Sequence, residues 1–198
     1  MKRSAILAEE AGLSLIELLV VTLILVTLSG LVYATFRYES LAYSRELTRG
    51  ATQADLRIWS SRMMKDIRNA GFDPLGTAGA GIKSPVTHQD VEFTADVDKN
   101  GSINTGAGAE KETLGYRLNA SSLQLLQGSS WRTVVTGVTS LNFQYYDVQG
   151  NEVCQPNTSC TSVSSIAEVR FTITAQGSDS STAIAEGGAA RIRNPTVQ

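Results

Sequence analysis

The sequence predicts an α+β fold in which one long N-terminal helix packs on an antiparallel β-sheet. Three observations predict it. Residues 18–36 (LLVVTLILVTLSGLVYATF) carry no charge, residues 56–70 hold apolar side chains at helical spacing, and the chain beyond Gly71 breaks into short segments that alternate apolar and polar. All four Pro and 14 of the 17 Gly lie from Gly71 onward, so helix-tolerant and turn-rich composition divide the chain. Its 198 residues allow one globular domain with an appendage.

The first element runs from Leu13 to Phe36. As a helix it spans about 36 Å at ~1.5 Å per residue, enough to cross a hydrocarbon core of about 30 Å. Glu17 stands inside this apolar stretch, where a carboxylate is costly and marks function. Cleavage after Gly12 would give Leu13 a free ammonium one helical turn before Glu17. The carboxylate could then meet the terminal ammonium of a second, identically cut subunit. Unit charges ~4 Å apart attract by roughly 4 kcal/mol at an effective dielectric near 20.

Residues 37–70 contain no Pro and only Gly50, which predicts that the helix continues out of the membrane. Leu56, Trp59, Met63, Ile67 and Ala70 recur at steps of three and four and form one face for packing on a sheet. Tyr33, Phe36, Leu41, Tyr43 and Leu47 are scattered, as suits a surface turned toward neighbouring subunits. Gly71 and Pro74 end the helix: Gly takes the positive φ of a C-terminal cap and Pro cannot continue it. Residues 75–84 form a loop. Strands are expected around Val91 and Phe93; Leu114, Tyr116 and Leu118; Leu123 and Leu125; Val138 to Tyr146; Val169 to Ala175; and Ala189 to Ile192.

Two constellations bear on chemistry. Asp96, Asp98, Asn100 and Ser102, with Gly101, match the start of a calcium loop, in which oxygen ligands at alternate positions converge on one hard cation. Position twelve, where a bidentate Glu belongs, is Ala107; Glu110 or Glu112 reaches in only through a non-standard loop. A polar turn between strands is the other reading of the same residues. Cys154 and Cys160 enclose five residues and are expected to form a disulfide on the oxidising side of a membrane, a reduced pair being the alternative. His88 reads as a solvated loop residue.

Several classes are excluded. A formal charge of −2 without a Lys/Arg-rich run gives no electrostatic footprint for nucleic acid. One His and two Cys make no zinc site. There is no Gly-x-Ser-x-Gly elbow and no phosphate loop, so nothing in the sequence marks an enzyme.

Gly12-Leu13-Ser14-Leu15-Ile16-Glu17 followed by LLVVTLILVTL resembles the type III signal of type IV pilins and type II secretion pseudopilins. The resemblance implies a pilin-like fold. It implies a leader, residues 1–12, removed after Gly12 by a membrane prepilin peptidase, methylation of the new terminus at Leu13, and Glu17 as the assembly carboxylate. Leu13 departs from the family's preference for Phe at the first mature position. The string Arg68-Asn69-Ala70-Gly71-Phe72-Asp73-Pro74 after an amphipathic helix resembles PilW-type minor pilins, as does the Arg193-Asn194-Pro195 ending. GspJ-like minor pseudopilins are the near alternative, and a membrane-anchored adhesin is a more distant one.

The organisation expected is therefore leader 1–12, transmembrane and filament-core helix 13–36, amphipathic helix 37–70 and globular β-domain 71–198. The implied partners are prepilin peptidase, other minor pilins, the major pilin and an inner-membrane assembly platform. The implied location is the bacterial inner membrane, single-pass with a periplasmic C-terminal domain, and then the filament, where the subunit takes part in initiating a type IV pilus near its tip.

Overall fold

The computed structural model describes residues 14–83, 86–104, 112–154, 160, 163–176 and 183–192. The leader, Gly12, Leu13, Ala107, Glu110, the residues between the two Cys and the Arg193-Asn194-Pro195 ending lie outside them. The element order is helix α1 (Leu15–Arg68), then strands β1 (Asp90–Thr94), β2 (Thr113–Asn119), β3 (Ser122–Gln127), β4 (Ser130–Thr136) and β5 (Val138–Tyr146), a 3₁₀ turn (Val163–Ser165), β6 (Glu168–Gln176) and β7 (Ala183–Arg191). The chain divides into two units, Met1–Glu46 and Leu47–Gln198.

In the first unit, α1 is uncharged on every side from Leu18 to Phe36. Leu15, Ile16, Leu19, Leu23, Leu28 and Phe36 are all more than half exposed. Hydroxyls in this stretch bond back into the helix: Thr22 Oγ1 donates to the Leu19 carbonyl, Thr27 Oγ1 to that of Ile24 and Thr35 Oγ1 to that of Leu31. Thr here therefore leaves no free polar group, which is what an apolar solvent demands.

In the second unit, α1 becomes one-sided. Leu56, Met63 and Ile67 are buried together with Ser60, the helix ends at Arg68, and Ala70 is buried in the turn that follows. Trp59 packs against the same core while remaining partly exposed. Gly71, at φ 75°, turns the chain, and its N–H donates to the Thr94 carbonyl at 3.0 Å, so the helix end is fastened to β1. The Asp73 carboxylate then accepts the backbone N–H groups of Gly76, Thr77, Ala78 and Gly79 at 2.8–3.3 Å, which organises the Gly-rich loop around one side chain.

Two antiparallel sheets, not one, complete the α+β fold: β1-β2-β3-β4 and β5-β6-β7. Each is a meander, with registers such as Val91↔Tyr116 in the first and Phe143↔Phe171 in the second. Inward-facing Phe93, Tyr116, Leu125, Leu141, Phe143, Tyr145, Phe171 and Ile173 join the helix stripe in one core.

Two strands differ from the expectation. β4 has no apolar alternation to announce it, because only Val135 is buried along it. It is held by pairing with β3, and Arg117 lies over the Trp131 ring at 4.0 Å. β7 begins at Ala183, six residues before the expected start at Ala189, because the Ala- and Gly-rich stretch has almost no side-chain signal and is fixed by its register with β6. His88 is another correction. Its carbonyl accepts the Phe143 N–H at 2.8 Å, its ring stands edge-on to Tyr145, and its Nε2 is buried, so it belongs to the packed joint between β1 and β5.

Candidate functional site

The first site is the start of α1. Ser14 precedes the helix, and its carbonyl accepts the N–H groups of Glu17 and Leu18 at 3.0 and 3.1 Å. This places Glu17 in the first helical turn, where the free N–H groups favour a carboxylate. Its neighbours Leu15, Ile16, Leu18 and Leu19 are exposed and apolar, so the acid is one polar group on a surface made for lipid or for other apolar helices. α1 is long and apolar enough to cross a membrane.

The second site is the turn after β1. Its four expected residues are together, and Glu112 joins them from the approach to β2. Oxygens of Asp96, Asp98 and Glu112 lie within 4.8 Å of one another, with Asp96 and Glu112 fully buried and Asp98 exposed. Asp96 accepts the N–H groups of Asn100 at 3.1 Å and Gly101 at 3.0 Å. Glu112 accepts those of Val97 at 3.0 Å, Asp98 at 3.2 Å and Asn104 at 2.7 Å. Asn100 Oδ1 takes the Ser102 N–H at 2.8 Å, and Asp98 Oδ2 takes the side-chain amides of Asn100 and Asn104.

The charges in this turn respond to one another. Partial desolvation raises the Asp98 carboxyl above its usual range; the Asn100 N–H pulls the other way, and the Glu112 charge pushes it up again. Burial acts to raise Glu112 too, but three backbone N–H donors outweigh it and hold that carboxyl below its usual range. A donor set of three carboxylates and an amide oxygen is of the kind that holds calcium. The same oxygens already accept amide N–H groups of the chain, which also closes the turn from within.

Glu112, not the residue at position twelve, fills the place of the expected acidic ligand. It is one of the two acids, with Glu110, that the sequence offered through a non-standard loop, and the pairing of Thr94 with Thr113 brings it in. The turn is also tied to the helix end: the Asp96 N–H donates to the Phe72 carbonyl at 2.7 Å, and Thr77 Oγ1 to that of Gly101.

Cys154 and Cys160 are joined in a disulfide with Cα atoms 5.5 Å apart. Val86 and Cys160 exchange backbone hydrogen bonds at 3.1 and 2.9 Å, so the bridge pins the chain ahead of β1. Asp90 Oδ1, His88 Nε2 and Thr113 Oγ1 are buried polar atoms without a hydrogen-bond partner among the described residues.

Residues 45–192 match the family model of prepilin peptidase-dependent protein B. The chain belongs to that family. The match starts well after the Gly12–Glu17 motif, so two separate parts of the chain point to one processing enzyme: an N-terminal segment that resembles a prepilin signal, and a helix-and-sheet domain of a prepilin peptidase-dependent family. The protein is thus pilin-related and depends on prepilin peptidase, and its N-terminal apolar helix fits a membrane anchor. No curated protein matches the chain.

Proposed function

We propose that this family member is a minor pilin of the PilW type that acts by assembly and not by catalysis. Prepilin peptidase cuts after Gly12 and the new terminus is methylated at Leu13. Glu17 then pairs with the terminal ammonium of a neighbouring subunit, and the apolar helices bundle. The domain stands in the periplasm at first and then near the tip of a type IV pilus, where it works with other minor pilins, the major pilin and the inner-membrane platform to initiate the filament.

One observation carries this reading. α1 exposes large apolar side chains on all sides of its first unit, with a lone carboxylate in its first turn. A simple anchor has no use for an acid placed there, whereas a helix that must find the ammonium of an identically processed neighbour has.

Intact mass and N-terminal sequencing of the membrane-extracted protein test the processing. A chain starting at methylated Leu13 is expected; retention of Met1, or a start at Thr35, overturns the reading. Glu17→Ala should leave processing and domain folding intact and abolish incorporation into filaments, measured in sheared pili. Normal incorporation would remove Glu17 from the mechanism.

A further inference from the structure

The two sheets have four outer strands; two of them are covered by backbone partners and a third, β4, carries a bulge and a charge. Along β1, the Lys83 N–H donates to the Glu92 carbonyl and the Thr94 N–H to the Gly81 carbonyl, both at 2.8 Å. Along β5, the Val138 N–H donates to Ser121, the Phe143 N–H to His88, and the Val153 N–H to the Tyr145 carbonyl; the register also shifts between Val138 and Ser140. β4 is interrupted differently, since its register with β3 shifts between Leu123 and Gln124 and exposed Arg132 sits at its centre. Bulges and charges of this kind keep strand edges from pairing with other chains.

β7 has no bulge, and its only charged residues are Glu186 and, at its last position, Arg191. Its nine residues pair with β6 in unbroken register, and among the described residues no backbone group pairs with its outer edge. The Ile192 N–H donates to the Ala167 carbonyl at 2.9 Å, one step beyond the Glu168↔Arg191 pair. Because bonding alternates along an antiparallel strand, Ile184, Glu186, Gly188 and Ala190 exchange hydrogen bonds with β6. Ala183, Ala185, Gly187, Ala189 and Arg191 therefore turn their N–H and C=O groups outward. The side chains of these five are exposed, and four of them are no larger than a methyl group.

We propose that the outer edge of β7 receives an extended, acidic-flanked strand from a different subunit, which adds to the β5-β6-β7 sheet by main-chain hydrogen bonding. The charge around the edge selects this occupant. Arg57 pairs with Glu186 at 3.1 Å and Arg191 with Glu168 at 3.6 Å, and both guanidiniums are exposed while both carboxylates are largely covered; Arg170, the other partner of Glu168, is turned toward β5 over the Tyr146 ring. The rim thus presents positive charge around an uncharged floor. A second copy of this chain would bring the same basic rim, whereas a strand with carboxylates at its ends matches it.

The test is hydrogen exchange on the full-length chain in detergent micelles, with a nine-residue peptide of alternating Val and Thr and a Glu at each end as the probe. The peptide should slow exchange at Ala185, Gly187 and Ala189 by about ten-fold or more, and a Lys-ended version should bind more weakly. Ala189→Pro removes one outward N–H and none of the β6 bonds, so it should preserve the melting temperature and abolish protection. Ala185→Glu, a carboxylate at the exposed edge that repels the Glu-ended peptide, should do the same and stands in if the Pro variant fails to fold. Absence of protection, protection indifferent to both variants, equal binding of the Lys-ended peptide, or protection that arises from raising the protein concentration without peptide would each overturn the proposal. Peptide binding in micelles is read independently of filament incorporation.

Discussion

Leu, Ile, Val and Phe occur in both units of this protein and do opposite things in them. Ile24 in the first unit is half exposed, while Ile67 and Ile173 in the second are 0–1% exposed. The difference is in what surrounds each residue. From Leu18 to Phe36 the helix of the first unit is uncharged on all sides and its side chains are exposed; the second unit places apolar residues on one helix face and on alternate strand positions, so that they meet. Apolar content alone therefore does not measure a core. Pattern decides whether it is met from within the chain.

Substitutions can break this contrast. The largest effect is expected from Phe143→Ala, which empties a fully buried position between Tyr145 and Phe171 and should cost about 3–5 kcal/mol in denaturant unfolding of the detergent-solubilised protein. Ile24→Ala, an equally apolar change in the first unit, should leave that transition unmoved. If the two cost the same, the division between the units is wrong.

A smaller effect tests how tightly the second unit is built. A Cβ at Gly115 would stand 2.9 Å from the Val91 carbonyl oxygen of the paired strand and 3.3 Å from Leu126 Cβ. Backbone cannot yield as a flexible side chain does, so Gly115→Ala should destabilise by about 1–3 kcal/mol. A neutral result in thermal melts would show that β1 and β2 are looser than their register implies.

Tyr116→Phe probes the polar link between helix and sheet. The Tyr116 hydroxyl donates to Asp66 Oδ2 at 2.6 Å, and burial, then the Asp66 charge, hold the phenol far above its usual range. Removing the hydroxyl should cost about 1–2 kcal/mol, seen as a lower midpoint with an unchanged denaturant slope.

The smallest effect concerns the joint around His88. Burial first, and the Glu92 charge second, raise the Asp90 carboxyl above its usual range, with Arg117 opposing. A carboxyl with a raised folded-state pKa weakens the fold when ionised, and the penalty fades as pH falls through that pKa. Asp90→Asn should therefore raise the melting temperature at about pH 7, and its advantage should vanish by about pH 3, where the parent carboxyl is protonated. A gain that persists at low pH would mean that charge is not its source.

Much of the helix was legible in the sequence because local chemistry carries it. The uncharged run is read within a few residues, and the helix stripe at Leu56, Met63 and Ile67 follows from spacing alone. Gly71 announced the helix end because a positive φ favours one residue type. β4 and most of β7 were not legible, and the sequence left open whether Glu110 or Glu112 would reach the Asp96 turn. Each is placed by a partner distant along the chain, neighbouring strands for the two strands and Asp96 and Asp98 for Glu112.

The sequence by itself thus determined which segment is long and apolar enough to cross a membrane, where the helix stops and which strands carry the core, since these depend on periodicity and on single residues with special geometry. Only the tertiary structure decided that the strands form two sheets, that Glu112 joins Asp96 and Asp98 as the third carboxylate of the turn, and that β7 keeps an unbroken outer edge without a backbone partner among the described residues. Those outcomes depend on hydrogen-bond registers between residues far apart in the chain, and neither composition nor local spacing encodes which backbone N–H and C=O groups will find each other.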